Sequence, residues 1–411
     1  MAIPTILAGQ RQPAAGRPGD GGIGALCALA GAEPRSFIDN LDWEVSSDLT
    51  LIDAIDAGDG IADPFQSSGW LRAWLATIGA ARKVRPAVVC GRFGGVALLV
   101  VPLAIEGRGP FARARFLAQD VSDYNEPLFH RELRPHVTAA LMGALWQKAA
   151  TLVAADFLTL GKVPLDAVEP STGRRLRHCV EEFERSHWLA VDGPWQLSED
   201  RFFGASSRNS LQRKEKKLAK FGRLAFRPLD AADARAAATA RLVEWKAVQL
   251  AHLGAANRFR DPAFTGFLDR LARDGDPERY RLYALTAGKE LLAVTLMICG
   301  ARRWFLYQTA YHDGEAGRFS PGLLLLRHIL RQAHEAGVDA FDFGLGNEGY
   351  KQRFCDRQVV LYRVSLPITL RGHVAVLAAG AVAWARDLVR ARPALRRLAL
   401  SVLRRLAPPR G

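Results

Sequence analysis

Long apolar runs are missing from this sequence. No stretch of about 20 consecutive apolar residues occurs, which leaves no candidate for a membrane-spanning helix. Cysteine is scarce. Five residues, Cys27, Cys90, Cys179, Cys299 and Cys355, stand far apart, with no C-x-x-C and no histidine at ligand spacing. That excludes a structural zinc and a disulfide framework, and it implies reduced thiols in a cytoplasmic setting. The first residues, MAIPTILAGQRQPAAGRPGDGG, have neither the basic start nor the sustained apolar core of a secretion signal. Their Pro, Gly and Ala content reads as a flexible tail over residues 1–36. Acid is what the other end lacks. From Arg371 to Gly411 nine arginines face one acid, Asp387, so this segment holds +8 of the net +14. Its apolar content, HVAVLAAGAVAWARDLVRARPALRRLALSVLRRLA, reads as an amphipathic helix on an anionic membrane or a partner. The plainer reading is a solvated basic tail.

The most informative feature is an internal echo. RPAVVCGRFGGVALLVVPLAI (85–105) and RYRLYALTAGKELLAVTLMIC (279–299) each read as two strands around a glycine turn. A further strand follows each, at 113–119 and 302–311. A helix comes next, at 132–153 and 321–336. Each copy then has a strand beginning at an Asp and ending at a Gly, DFLTLG (156–161) and DAFDFG (339–344). The matched order points to a duplication, and antiparallel strands mixed with a crossover helix place the chain in the α+β (mixed α/β) class. Helices precede each copy. DPFQSSGWLRAWLATIG (63–79) carries Trp70, Leu71, Trp74 and Leu75 at helical spacing, which makes the tryptophans core residues first. SSRNSLQRKEKKLAKFGRLAFR (206–227) opens on capping residues, runs as a basic helix and stops at Gly222, and a further helix spans 242–259.

FDFGLGNEGYK (341–351) fits G-x-G-x-x-G through Gly344, Gly346 and Gly349. A dinucleotide fold also needs a long helix opening on those glycines and an acid some way downstream for the ribose. Only two turns of helix follow, and no Asp or Glu occurs between Arg357 and Arg386, so that reading fails. A better phosphate site is the helix start at Ser320-Pro321-Gly322. Serine suits the N-cap, proline the first helical position, and glycine leaves the backbone bare. Free N–H groups and the positive end of the helix dipole suit a pyrophosphate. The first copy's helix, FHRELRPHVTAALM, has no such start, so a phosphate ligand belongs to the second copy.

Hairpin, strand, loop, glycine-bearing helix start, strand and short helix together resemble the GCN5-related N-acetyltransferase (GNAT) fold. Residues 43–368 further resemble the CelD-type acetyltransferases linked to bacterial cellulose and exopolysaccharide synthesis. Those are relatives of the Fem peptidoglycan aminoacyltransferases, which carry two such folds in tandem. The resemblance is carried by DPFQSSGWLRAW, SDYNEPL (122–128), RNSLQRKEKKL, FSPGLLLLRHI and FDFGLGNEGYKQRF. It implies a first GNAT-like domain over 37–195 on the acceptor side, a second over 196–370 that takes acyl-CoA, and a basic helical tail over 371–411. It implies acetyl-CoA or another acyl-CoA as co-substrate, no metal, and a sugar, cell-envelope or exopolysaccharide precursor as acceptor.

Acyl transfer needs a base for the nucleophile, stabilisation of the developing oxyanion and a proton for the departing thiolate. Asp342 lies opposite Phe341 and Phe343 in a core strand, either as that base or as an order-giving hydrogen-bond acceptor. Glu348 is a second candidate base. The resemblance implies that Tyr350 protonates the thiolate; its other reading is a packing aromatic. Arg318, Ser320, Gly322 and Leu323 surround the phosphate-binding helix start, and Lys351 either joins them or faces solvent. Asp123, Tyr124 and Asn125 form a polar cluster on the acceptor side, and His312 follows the central strand where an acceptor could approach or where it is simply a loop residue. Two rival readings stand beside this one. An aminoacyl-tRNA donor would use the basic helix (Arg208, Arg213, Lys214, Lys216, Lys217, Lys220) to track phosphates. A silent scaffold of a polysaccharide synthase would dock through the tail. Either way the expected setting is cytoplasmic, with the tail offering a peripheral hold on the inner membrane, and a nucleic-acid partner is the less favoured case.

Overall fold

The structure, a computed structural model, describes residues 20–56, 64–107, 111–164, 180–254, 256–346 and 351–391. Its strands are β1 (Asp42–Ser46), β2 (Arg85–Phe93), β3 (Val96–Glu106), β4 (Arg113–Phe116), β5 (Leu128–Phe129), β6 (Phe157–Pro164) and β7 (Val180–Ala190). The second set is β8 (Leu224–Leu229), β9 (Tyr280–Ala287), β10 (Glu290–Cys299), β11 (Arg303–Tyr311), β12 (Ala340–Leu345) and β13 (Arg357–Pro367). They form one 13-stranded sheet in the order β1-β2-β3-β4-β6-β13-β7-β12-β11-β10-β9-β8, with β5 on the flank of β3. The β2–β3 hairpin turns on Gly94 and Gly95, both at positive φ (56° and 82°), as a tight two-residue turn requires.

The echo is therefore a structural repeat. β1, β2, β3, β4 and β6 in the first half match β8, β9, β10, β11 and β12 in the second, with β4·β6 and β11·β12 the parallel pairs. The last strand of each half crosses over. β7 runs antiparallel beside β12 (Phe341 opposite Leu189), and β13 beside β6 (Ser365 opposite Thr159). β7 and β13 also pair with each other and close the sheet at its centre. A boundary at 195/196 thus divides the chain but not the sheet, because each half is completed by the other's final strand.

The helices are α1 (Asp20–Ala32), α2 (Pro34–Asp39), α3 (Thr50–Asp56), α4 (Ser68–Trp74), α5 (Ala139–Leu152) and α6 (Trp195–Phe202). They continue as α7 (Ala205–Leu218), α8 (Ala232–His252), α9 (Pro262–Asp274), α10 (Pro321–Glu335), α11 (Lys351–Phe354) and α12 (Leu370–Ala391). Three differences from the sequence reading have clear causes. The composition of residues 20–36 reads as tail, yet α1 and α2 bury Leu26, Cys27, Ala30, Phe37 and Ile38 in the first half's core. α5 starts at Ala139 rather than 132, because Pro135 sits in a separate turn and Thr138 supplies the N-cap, accepting from the Leu141 N–H at 3.2 Å. α8 begins ten residues earlier than 242, through an alanine-rich stretch of strong helix formers.

Three cores follow from the period-2 alternation of the strands. One face of the first half (Leu99, Val101, Leu103) packs on α1, α2 and α5. The corresponding face of the second (Ala293, Met297, Phe341, Phe343) packs on α6, α7 and α10. The third core is shared: Val88 and Val100 from the first half meet Val294, Leu296 and Phe305 from the second, under α4, α8 and α9. Trp70 and Trp74 are fully buried there, as their spacing implies.

Candidate active site

The segment after β4 is held by the helix that precedes its own half. Trp70 donates through its indole N–H to Ser122 Oγ (3.0 Å) and Trp74 to Asp120 Oδ1 (2.9 Å). Gln66 donates to the Tyr124 carbonyl (2.8 Å) and Tyr307, from β11, to the Val121 carbonyl (3.0 Å). DPFQSSGWLRAW and SDYNEPL thus work as a pair, the first gripping the second against the other half. Asn125 belongs to this scaffold: it is buried and donates to the Gly161 carbonyl at 2.9 Å, so it is not free for an acceptor.

Asp342 is the point at which the halves are tied. Its carboxylate is fully buried and accepts from Tyr124 Oη (2.5 Å), Ser186 Oγ (2.7 Å) and the Gly344 N–H (2.7 Å). Arg303 adds positive charge at 3.9 Å while its guanidinium lies among the rings of Tyr124, Trp188 and Phe305. Tyr124, Asp342 and Arg303 come from three distant parts of the chain, and Ser186 from the crossed-over strand. Burial and the Asp342 charge hold the Tyr124 hydroxyl far above its usual pKa, so it stays a proton donor to that carboxylate. Asp342 and Tyr124 form a locked internal pair, and the geometry fits the order-giving reading of Asp342.

Asp123 is different. It is half-buried beside Gly344, and among the described residues no hydrogen bond reaches its carboxylate. Desolvation raises its pKa from 3.8 to about 6; Lys162 opposes that shift and Asp342 adds to it. Lys162 stands at the bulge where β6 slips against β13, with its backbone in the left-handed region (φ 59°), and donates to the Ser122 carbonyl at 2.6 Å. Burial lowers its own pKa, with Asp123 pulling the other way. A carboxylate that titrates near neutrality and is free to accept has the properties of a general base.

The β11–β12 ladder runs only from Arg303–Ala340 to Phe305–Asp342, and just beyond it Gly344 lies between the Leu306 carbonyl and Asp123. From Phe305 to Thr309 is four residues of strand, ~13 Å. At that end lies the start of α10, where Gly322 packs so closely on Tyr311 and Thr309 that a Cβ would stand 3.2 Å from the Tyr311 ring. Among the described residues nothing accepts from the Gly322 N–H. Ser320 is not the side-chain cap expected of it. It lies in the left-handed region (φ 54°) and its hydroxyl instead accepts from Lys214 Nζ at 2.8 Å. Lys217 and Arg318 both lie over the Phe319 ring, so α7 brings cationic side chains to this helix start. The residues present therefore fit a phosphate-bearing ligand. Two cavities, of about 290 and 400 Å³, lie elsewhere, one lined by Trp195, Arg327 and His328 and the other by Arg72, Arg270 and Tyr280.

The remaining expected residues divide as follows. Leu323 is half-buried in the first turn of α10. Lys351 is buried, with its ammonium on the Leu345 carbonyl at 2.5 Å, so it closes the end of β12 instead of meeting phosphate. His312 stands at the far end of β11 from Asp342, beside Trp245 and facing Glu290 at 3.8 Å, which fits its loop reading. Glu348 and Tyr350 lie outside the described residues. Ser186, Arg303 and Lys162 were missed. Lys162 follows the Asp-to-Gly strand directly, a signal that was available. Ser186 and Arg303 act across strand pairings that no local pattern reveals.

Residues 205–352 match the description of an acetyltransferase (GNAT) domain, so the chain carries an acyltransferase domain over its second half. Among solved structures, FemX is 11% identical over 82% of this chain and 99% of its own, with a TM-score of 0.55. The C-terminal domain of a putative lysylphosphatidylglycerol synthetase from Agrobacterium fabrum is 11% identical, covering 80% and 96%, at 0.48. A tandem GNAT protein from the clavulanic acid biosynthesis pathway is 14% identical, covering 80% and 98%, at 0.36. No curated protein matches the sequence. The FemX likeness agrees with the mixed α+β fold.

Proposed function

We propose that the protein transfers an acyl group, with acetyl the first candidate, from acyl-CoA to an amine or hydroxyl of a sugar, cell-envelope or exopolysaccharide precursor. The carrying observation is the start of α10, where Gly322 keeps its N–H beside Thr309 and Tyr311 of β11, together with Asp123, whose carboxylate stands beside Gly344 of β12. The first half's helix start supports the choice of copy: Thr138 already caps it, whereas Gly322 of α10 keeps its N–H. Gly322, Ser320, Lys214 and Lys217 would hold the pyrophosphate, by backbone N–H, hydroxyl and charge. The bound thioester supplies an activated carbonyl carbon. Asp123 takes the proton from the acceptor nitrogen or oxygen as the new bond to that carbon forms and the carbon–sulfur bond breaks. Asp342, held by Tyr124 and Ser186, positions the Asp123 loop. Tyr350 keeps the role that the resemblance gives it, proton donor to the leaving sulfur.

An aminoacyl-tRNA donor would need the basic face of α7 free for a phosphate backbone, yet Lys214 and Lys217 turn towards Ser320 and Phe319. Calorimetric titration with acetyl-CoA checks the donor. The expected result is one site per chain, weakened by about tenfold or more in Gly322→Val, where loss of a charge-assisted backbone contact and a steric block combine. No binding at millimolar acetyl-CoA would remove this reading.

A further inference from the structure

We propose that α12 docks the enzyme on an anionic lipid surface, the arginines of residues 371–411 supplying the complementary charge. α12 is held to the body at its base. The Ile368 and Thr369 N–H groups donate to the Asp156 carbonyl (2.8 and 3.1 Å), and Thr369 Oγ1 donates to Asp156 Oδ1 (2.6 Å). Gly372 lies so close to that carbonyl that a Cβ would collide with it. Further along, large apolar side chains face solvent: Leu377 is 72% exposed, Val382 67% and Trp384 68%. Leu370, Val374, Leu377, Ala381 and Trp384 recur at steps of four and three, so they share one face of the helix. That stripe runs for ~21 Å along the axis. An exposed stripe of this kind marks an interaction site.

Charge decides the partner. From Arg371 to Gly411 nine arginines stand against one acid. A second copy would bring the same +8 to the same place, so self-association opposes itself, whereas an anionic headgroup layer complements it. Tryptophan, with an apolar body and a polar N–H, suits the boundary between headgroups and acyl chains. Among the described residues no helix is long and apolar enough to cross a membrane, so the geometry points to a helix lying in the surface.

The test is co-sedimentation of the full-length protein with large vesicles of phosphatidylcholine alone or mixed with phosphatidylglycerol. The expected result is retention on the anionic vesicles only, lost in L377E/W384E and reduced by added salt. Neutralising four arginines (R396Q/R397Q/R404Q/R405Q) is expected to weaken retention by roughly several hundredfold, at about fivefold for each basic residue near such a surface. Leu377 and Trp384 are largely exposed, and an unchanged unfolding curve shows that these variants are intact. Equal retention on neutral vesicles, no retention on either, or a dimer that L377E/W384E dissolves would each overturn the proposal.

Discussion

Asp123→Asn separates chemistry from stability. The carboxyl's pKa in the fold is about 6, against an ordinary 3.8. A folded pKa above the unfolded one means that the native state holds the proton more tightly. The stability this contributes is fully present below the unfolded pKa and is lost as pH rises through about 6. Above that pH the native state carries a half-buried anion that it tolerates poorly. At ~1.4 kcal/mol per unit the ceiling is ~3 kcal/mol, and solvent access to a half-buried group brings it to ~1–2 kcal/mol. The attraction of Lys162 is already contained in that net shift. Asp123→Asn is therefore expected to stabilise the protein by ~1–2 kcal/mol at pH 8 and by nearly nothing at pH 4, read from urea unfolding at both. The same variant is expected to lose roughly 10²–10⁴-fold in kcat/KM, the usual worth of a general base. In the wild type, kcat/KM should rise with pH through about 6. A variant that is less stable at pH 8, or that keeps its activity, refutes the reasoning.

Asp342→Ala leaves the Tyr124 and Ser186 hydroxyls, the Gly344 N–H and Arg303 facing an empty position. It is expected to cost ~3–5 kcal/mol in unfolding free energy, and unchanged stability would argue for a purely catalytic aspartate. Gly344→Ala strains a residue at φ 72° and sets a Cβ 2.9 Å from Asp123 Oδ2; kcat should fall while the dissociation constant for acetyl-CoA stays nearly level. Lys214→Ala should weaken acetyl-CoA binding by about fivefold at low salt, with the difference shrinking as salt is added. An equal loss at high salt would assign Lys214 to packing.

Much of the fold was legible because its signals are local. The two hairpins, the basic helix ending at Gly222 and the Ser320-Pro321-Gly322 start all rest on neighbouring residues, and each appears close to its expected place. The alternation in AFDFG correctly set Phe341 and Phe343 against Asp342. What that face would meet was not legible, since Tyr124 and Ser186 lie 218 and 156 residues away. The crossing of β7 and β13 is hidden for the same reason: alternation tells a strand which face to bury, not which strand to pair with. The α1 helix was lost to composition, although Leu26, Cys27 and Ala30 stand at helical spacing among the glycines. G-x-G-x-x-G was a coincidence of letters; Gly344 serves its N–H to Asp342 and leaves room for Asp123.

The most direct test of the account is a crystal structure with acetyl-CoA bound. The account predicts the pyrophosphate at the Gly322 N–H with Lys214 beside it, and the acyl group between β11 and β12 within reach of Asp123. Acetyl-CoA seated instead in the cavity by Trp195 and His328, or against the first half's helix at Thr138, would contradict it.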